Sequence, residues 1–161
     1  MTGNQIMKKL IQLIQEGTSP YHAAANVGRQ FREAGYEQLL WGHPWELKKG
    51  GCYYTLVQES TLIAFSVGRK CEGGPFRVAA AHTDFPGLRL KQNPELIRNG
   101  YAQLNVEVYG GAVLHSWLDR PLSVAGRVSL RSADIFHPVT RLVDFEKPFL
   151  VIPGLAIHLN R

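Results

Sequence analysis

The stretch VAAAHTDFPGLRLK, residues 78–91, decides how the rest of the chain is read. With Arg77 before it, the run to His82 consists mainly of Val and Ala, the composition of an interior strand covered on both faces. It stops at His82, with Asp84 two positions on and Pro86-Gly87 behind. Residues i and i+2 of an extended chain face the same way, so His82 and Asp84 project together if the strand continues briefly past the histidine. Beyond Lys91 the pattern changes character. The segment is therefore both a candidate site and a candidate boundary.

Upstream, Ile6, Leu10, Leu13 and Ile14 fall at helical spacing within residues 4–16, and Gly17 suits the end of that amphipathic helix. Ser19 as N-cap and Pro20 at the first helical position open a second helix over 20–34. Ala23, Val27, Phe31 and Ala34 give it periodicity, and Gly35 fits the left-handed position past its end. CYYTLV (52–57) and TLIAFSV (61–67) flank Gln58-Glu59-Ser60 and predict a β-hairpin, and CEGGPF (71–76) reads as a loop.

Downstream, QNPELIRNG (92–100) is turn-rich. In QLNVEVYGG (103–111), Leu104, Val106 and Val108 oppose Gln103, Asn105 and Glu107. VAGRVSLRS (124–132) sets Val124, Val128 and Leu130 against Arg127, Ser129 and Arg131, and KPFLVIPG (147–154) offers another short strand. These are half-buried antiparallel strands, with no helix expected after residue 91. The chain reads as an α/β segment followed by an all-β segment, with the break near residues 91–100.

Composition sets the outer limits. The 161 residues are 45% apolar and 19% charged, which suits one domain, or one and a piece of another, and argues against global disorder. The net charge is +5, but Lys and Arg are scattered, so there is no basic stripe for nucleic acid. Cys52 and Cys71 form no CxxC motif and no disulfide framework. Two reduced thiols in a cytoplasmic protein are expected. Lys8, Lys9 and Gln12 interrupt the N-terminal apolar residues, so no signal sequence is expected. No apolar run approaches the roughly 20 residues a bilayer span requires, so no membrane partner is expected.

The spacing of His82 and Asp84 leaves alternatives open. The imidazole could bind a metal while Asp84 accepts a hydrogen bond from its other nitrogen. A Ser-His-Asp or Cys-His arrangement would need a nucleophile, and there is no GxSxG motif and no family-type context at either cysteine. A plain alternative is a hydrogen-bonded histidine at a strand end, with Asp84 capping the turn before Pro86-Gly87. The end of an interior α/β strand is where such folds place ligands, which favours a site. Of the other histidines, His22 lies in a helix, while His43 and His137 precede prolines in loops. His115, in YGGAVLHSWLDRP (109–121), fits on residues alone a β-turn with a packed Trp117 and an Asp119–Arg120 polar pair.

Taken together, SPYHAAANVGRQFREAGYEQL (19–39), GCYY (51–54), TLIAFSVG (61–68), AAHTDFPGLRLK (80–91), YAQLNVEVYGGAVLHSWLDRPLSVAGRV (101–128) and IPGLAIHLNR (152–161) resemble the aspartyl aminopeptidase family of dizinc metallopeptidases. HSWLDRPLSVAGRV is the most specific of these. The resemblance implies an α/β fold class: residues 1–91 as the N-terminal part of a zinc-peptidase α/β/α domain, and 92–161 as the first part of an inserted, β-rich dimerisation domain. It implies His82 as a zinc ligand, Asp84 as the carboxylate orienting it, and His115 as a residue directed into the active site of a neighbouring subunit, reversing the plain reading of His115. It also implies two zinc ions, a peptide substrate, a preference for acidic N-terminal residues, and a homo-oligomer.

Phe85 stands where the family often has Ser, and Pro121 where an acidic residue is common. A dizinc site needs about five protein ligands. The family takes the rest from a later part of the catalytic domain, including a Glu-Glu pair, and no Glu-Glu pair occurs in this chain. Asp119, Asp134 and Asp144 match none of those motifs. The expectation is a truncated product, a disrupted reading frame, or half of a split enzyme with a complementary chain, inactive or nearly so alone. Two alternatives stand beside it: a non-catalytic module associating with homologous subunits, and a hydrolase with an unrelated Cys nucleophile.

Overall fold

A computed structural model describes residues 2–70, 74–134, 136–156 and 158. The elements run α1 (Gly3–Glu16), α2 (Pro20–Glu33), β1 (Glu37–Gln38), β2 (Cys52–Val57), β3 (Thr61–Ser66), β4 (Gly87–Arg98), β5 (Tyr101–Tyr109), a single 3-10 turn (Leu114–Trp117), β6 (Ala125–Leu130) and β7 (Val139–Asp144). The mixture is α/β, as expected. The chain forms two compact units, residues 1–84 with 124–144, and residues 85–123 with 145–161. These interleaved units and a single domain boundary near residue 91 are different lines through the chain.

In the first unit, the Ser19 side chain caps α2 by accepting from the His22 backbone N–H at 3.3 Å, and Pro20 begins the helix. His22 is thereby structural: its Nδ1 also lies 2.8 Å from Ser19 Oγ. Buried Ala24 and Gly28 line the packing face of α2. A β-carbon at Gly28 would lie 3.4 Å from the Tyr54 ring, so the missing side chain lets the helix lie close to the sheet. β2 is the centre strand, parallel to β1 and antiparallel to β3. Tyr53, Tyr54 and Thr55 are its buried residues. Tyr54 stacks on Phe31 of α2, and Tyr53 pairs across the strand with Phe65. Both tyrosine hydroxyls are satisfied: Tyr53 accepts from Lys48 N–H, and Tyr54 donates to Gln38. The expected hairpin is present, and Gln58 and Glu59 in its turn both have positive φ, 53° and 61°.

The β6–β7 hairpin belongs to this unit although it is distant in sequence. Arg127 lies over the Tyr21 ring at 4.5 Å and donates to Gln58 O and Glu59 Oε2. Thr140 donates to Glu59 Oε1, and Thr18 to Asp144. β7, in VTRLVD, had no expected counterpart.

The expected interior strand over 77–82 is not formed. Residues 74–82 are exposed, with Phe76 at 93% and Val78 at 85%, and no strand among the described residues pairs with them. A Val-Ala run becomes a strand only where neighbours supply ladder partners, and composition alone does not supply them. In the second unit, β4 runs through the stretch expected to be turn-rich. Its register with β5 shifts between Leu90 and Glu95, which absorbs Asn93 and Pro94. Asn99-Gly100, with φ of 51° and 80°, makes the tight hairpin connection to β5. KPFLVIPG contributes only an isolated bridge, Leu122 to Leu150. Cys52 is a half-buried free thiol, whereas Cys71 lies outside the described residues.

Candidate functional site

His82 and Asp84 meet as their spacing predicts. His82 Nδ1 lies 2.7 Å from Asp84 Oδ1. A carboxylate only accepts, so in the neutral ring this contact selects the Nδ1–H tautomer, whose Nε2 lone pair can ligate. The ring is 88% exposed. The pair forms although no regular strand carries it, because alternation of extended backbone needs no ladder. Thr83, between the two, is partly buried and donates to Ser60 O at 2.7 Å. Thr83 carries no chemical signal of its own in the sequence, although the same alternation places it opposite the pair.

His115 lies in the second unit, exposed on the 3-10 turn Leu114–Trp117. Its surroundings are not the expected β-turn with an Asp119–Arg120 pair. Asp119, at φ 54°, accepts from Gly154 N–H at 2.8 Å, and Arg120 reaches the Ser116 carbonyl instead. Trp117 packs over Gly87, as its expected packed state requires. Ser116, Trp117, Arg120, Pro121 and Leu122 line an open recess of about 510 Å³.

A second histidine–carboxylate pair was not foreseen. His137 Nδ1 lies 2.6 Å from Asp134 Oδ2, on a ring 83% exposed. Asp134 Oδ1 also accepts from Phe136 N–H, an Asx turn that the Asp-x-x-His-Pro order could have signalled. These hydrogen bonds, that from His137 foremost, hold the Asp134 carboxyl below its ordinary range. Among the described residues, no three His, Cys, Asp or Glu side chains are grouped to hold a metal ion.

Comparison with known proteins gives the family. The family model described as Aminopeptidase I zinc metalloprotease (M18) matches residues 13–161, which sets the class as a metallopeptidase. The chain belongs to the M18 aminopeptidase family. It is 43% identical over 159 residues to a probable M18 family aminopeptidase 2 of Clostridium acetobutylicum, covering 98% of this chain and 37% of that protein. A Pseudomonas aeruginosa protein of the same description is 47% identical, with 98% and 36% covered. Among solved structures, Chaetomium thermophilum mApe1 superposes with a TM-score of 0.87 at 31% identity, covering 97% of this chain and 36% of the other. A chain of the Ape4 and Nbr1 complex gives 0.84 at 38% identity, with 94% and 30% covered. The chain thus spans little more than a third of the length of its curated relatives.

Proposed function

We propose that this chain supplies one metal ligand and its orienting carboxylate to a zinc aminopeptidase that removes N-terminal residues, acidic ones by preference, from peptides in the cytoplasm. The observation that carries this reading is the 2.7 Å His82–Asp84 contact on an exposed ring. It fixes the tautomer that leaves Nε2 open. The donor set fits one corner of a zinc site: His82 would ligate, Asp84 would hold the ring, and the described residues group no further ligands around them. Zinc, when bound, activates water and polarises a carbonyl. The resemblance supports two ions per site.

His115 serves the active site of a neighbouring subunit, so catalysis depends on assembly. A related mApe1, 26% identical with a TM-score of 0.80, is a dodecamer, which supports this. Residues 1–91 are the first part of the catalytic domain, and 92–161 the first part of the inserted β-rich domain. The 161-residue chain alone is inactive, because one histidine holds zinc weakly. Among the described residues no helix is long and apolar enough to cross a membrane.

A chimera tests this. Residues 1–161 replace the matching third of the Clostridium acetobutylicum relative, and release of N-terminal Asp from a peptide is followed. The chimera should be active with zinc, and His82→Ala should lower kcat/KM by about 10³-fold or more, as loss of a catalytic-metal ligand does. An unchanged rate would refute the role of His82. Activity in the isolated, zinc-loaded chain would refute its dependence on further ligands.

A second reading, a non-catalytic module that joins homologous subunits, is favoured by the exposed Phe76 and Val78 and by Ile97 and Tyr101 on the β4–β5 hairpin. Size-exclusion chromatography across concentrations tests it. A stable, strictly monomeric chain argues against it.

A further inference from the structure

Within the second unit, two stretches far apart in sequence are stapled together at one residue. Asp119 lies just past the 3-10 turn that carries His115. Its N–H donates to Ile152 O at 2.8 Å, and its Oδ1 accepts from Gly154 N–H at 2.8 Å. The absent side chain of Gly154 leaves the carboxylate its place. Further on, Leu122 N–H donates to Leu150 O at 2.9 Å, and Leu150 N–H to Leu122 O at 3.1 Å. The pairing of residues 119–122 with 150–154 is thus closed at its His115 end by Asp119, once through the backbone and once through the side chain.

Asp119 also sets the direction in which the chain leaves that turn. Its φ of 54° is left-handed. Among residues with a β-carbon, Asp and Asn bear this conformation best. One residue therefore supplies both the change of backbone direction and the bond that holds it. The turn has other ties: Ser116 Oγ donates to Val113 O at 2.7 Å, and Trp117 packs over Gly87. Those contacts shape the turn and seat it on β4, whereas Asp119 fixes it to the 150–154 segment. A side chain that reaches into another subunit needs its base held, because a misplacement of about 1 Å can cost about 100-fold in rate.

We infer that Asp119 is the positioning residue for His115, holding the turn that carries it through Gly154 N–H and Ile152 O. The inference rests on the reading that His115 serves the active site of a neighbouring subunit. Asp119 touches neither metal nor substrate. A change at Asp119 is therefore felt in the neighbour's site and not at the metal site of its own subunit.

The test uses the full-length chimera. Asp119→Gly keeps the left-handed backbone but removes the carboxylate, and should lower kcat about 10–100-fold with zinc content unchanged. Asp119→Asn keeps the conformation and an acceptor oxygen for Gly154, and should recover the rate. Hydrogen exchange at Gly154 and in the His115 turn should rise in Asp119→Gly and not in Asp119→Asn. The deciding readout is mixed assembly, in which Asp119→Gly and His82→Ala subunits are co-expressed with different tags and purified on both. Each His82→Ala subunit lends a well-placed His115 to the metal site of an Asp119→Gly neighbour, so activity should return to about a quarter to a half of the unmutated rate. His115→Ala mixed with His82→Ala is the control. If the control recovers and the Asp119→Gly mixture does not, or if kcat is unchanged in Asp119→Gly, the positioning role is wrong and the reading of His115 stands. If Asp119→Asn loses as much as Asp119→Gly, or Asp119→Gly fails to assemble, Asp119 is a structural staple only and the inference falls. If the control does not recover, the reading of His115 fails and takes this inference with it.

Discussion

The two histidine–carboxylate pairs invite comparison. His82–Asp84 and His137–Asp134 have Nδ1 to carboxylate distances of 2.7 and 2.6 Å, on rings 88% and 83% exposed. Bond for bond they are nearly interchangeable, yet their settings differ. The first ends an apolar run, and the residue between its members is tied to a braced turn. The second is closed on itself: Asp134 serves His137 and Phe136, and Ser132 Oγ reaches the carbonyls of Asp134 and His137. A carboxylate that fixes a tautomer is therefore not by itself a site. What distinguishes His82 is a support that reaches into the core unit and a flank of apolar chain left uncovered.

The largest expected difference between the pairs is catalytic. In the chimera described above, His82→Ala should cost about 10³-fold or more in kcat/KM, while His137→Ala should stay within about twofold. Asp84→Asn should fall between, about 10–100-fold, because the amide can still contact the ring but no longer favours the Nδ1–H tautomer. Zinc content by atomic absorption separates lost metal from slowed chemistry. Equal losses at His82 and His137 would erase the distinction.

Next in size is the brace. Arg127→Ala removes a cation–π contact and an ion pair, each worth about 0.5–1 kcal/mol where partly exposed, so a loss of roughly 1–2 kcal/mol is expected in urea unfolding. Hydrogen exchange should rise in the β2–β3 turn and in β6, and stay unchanged in the Ser132–His137 loop. Faster exchange in that loop and not in the turn would assign Arg127 to the wrong pair.

The sequence exposes these features unevenly, for physical reasons. Helix α2 was readable to within a residue because Ser19, Pro20 and Gly35 act locally. The β2–β3 hairpin was readable because its two runs are adjacent. His82 and Asp84 were readable as a pair because i, i+2 alternation is a property of extended backbone. The strand over 77–82 was misread because a strand needs partners that composition cannot supply. β4 was misread as turn because Pro94 sits in its irregular segment, where no ladder bond is lost. β7 was missed because Val139, Arg141 and Val143 mix charge into an apolar face, and that face becomes legible only once Thr140 and Asp144 find partners far away in the chain. Arg127 reads as one polar residue of a strand until Gln58, Glu59 and Tyr21 are seen around it.

The smallest predicted effect belongs to the second pair and is one of pH. The hydrogen bond from His137, followed by that from Phe136 N–H, holds the Asp134 carboxyl below its ordinary value. A carboxyl depressed in the folded state binds its proton more weakly there than in the unfolded chain. Its stabilisation is therefore fully present above the ordinary carboxylate range and is lost as pH falls through the lowered folded value. Because the loop is exposed, loss of the pair should loosen residues 132–137 locally without shifting the midpoint of global unfolding. An NMR titration of the Asp134 side-chain carbonyl carbon should show a midpoint below that of a free aspartate, moving upward in His137→Ala. Hydrogen exchange in the Asx turn should rise on acidification in the same range. If instead Asp134 titrated at its ordinary value and the loop kept its protection in acid, His137 would be only loosely tied. It would then be as free to take metal as any surface histidine, and no longer a fixed standard against which His82 is judged.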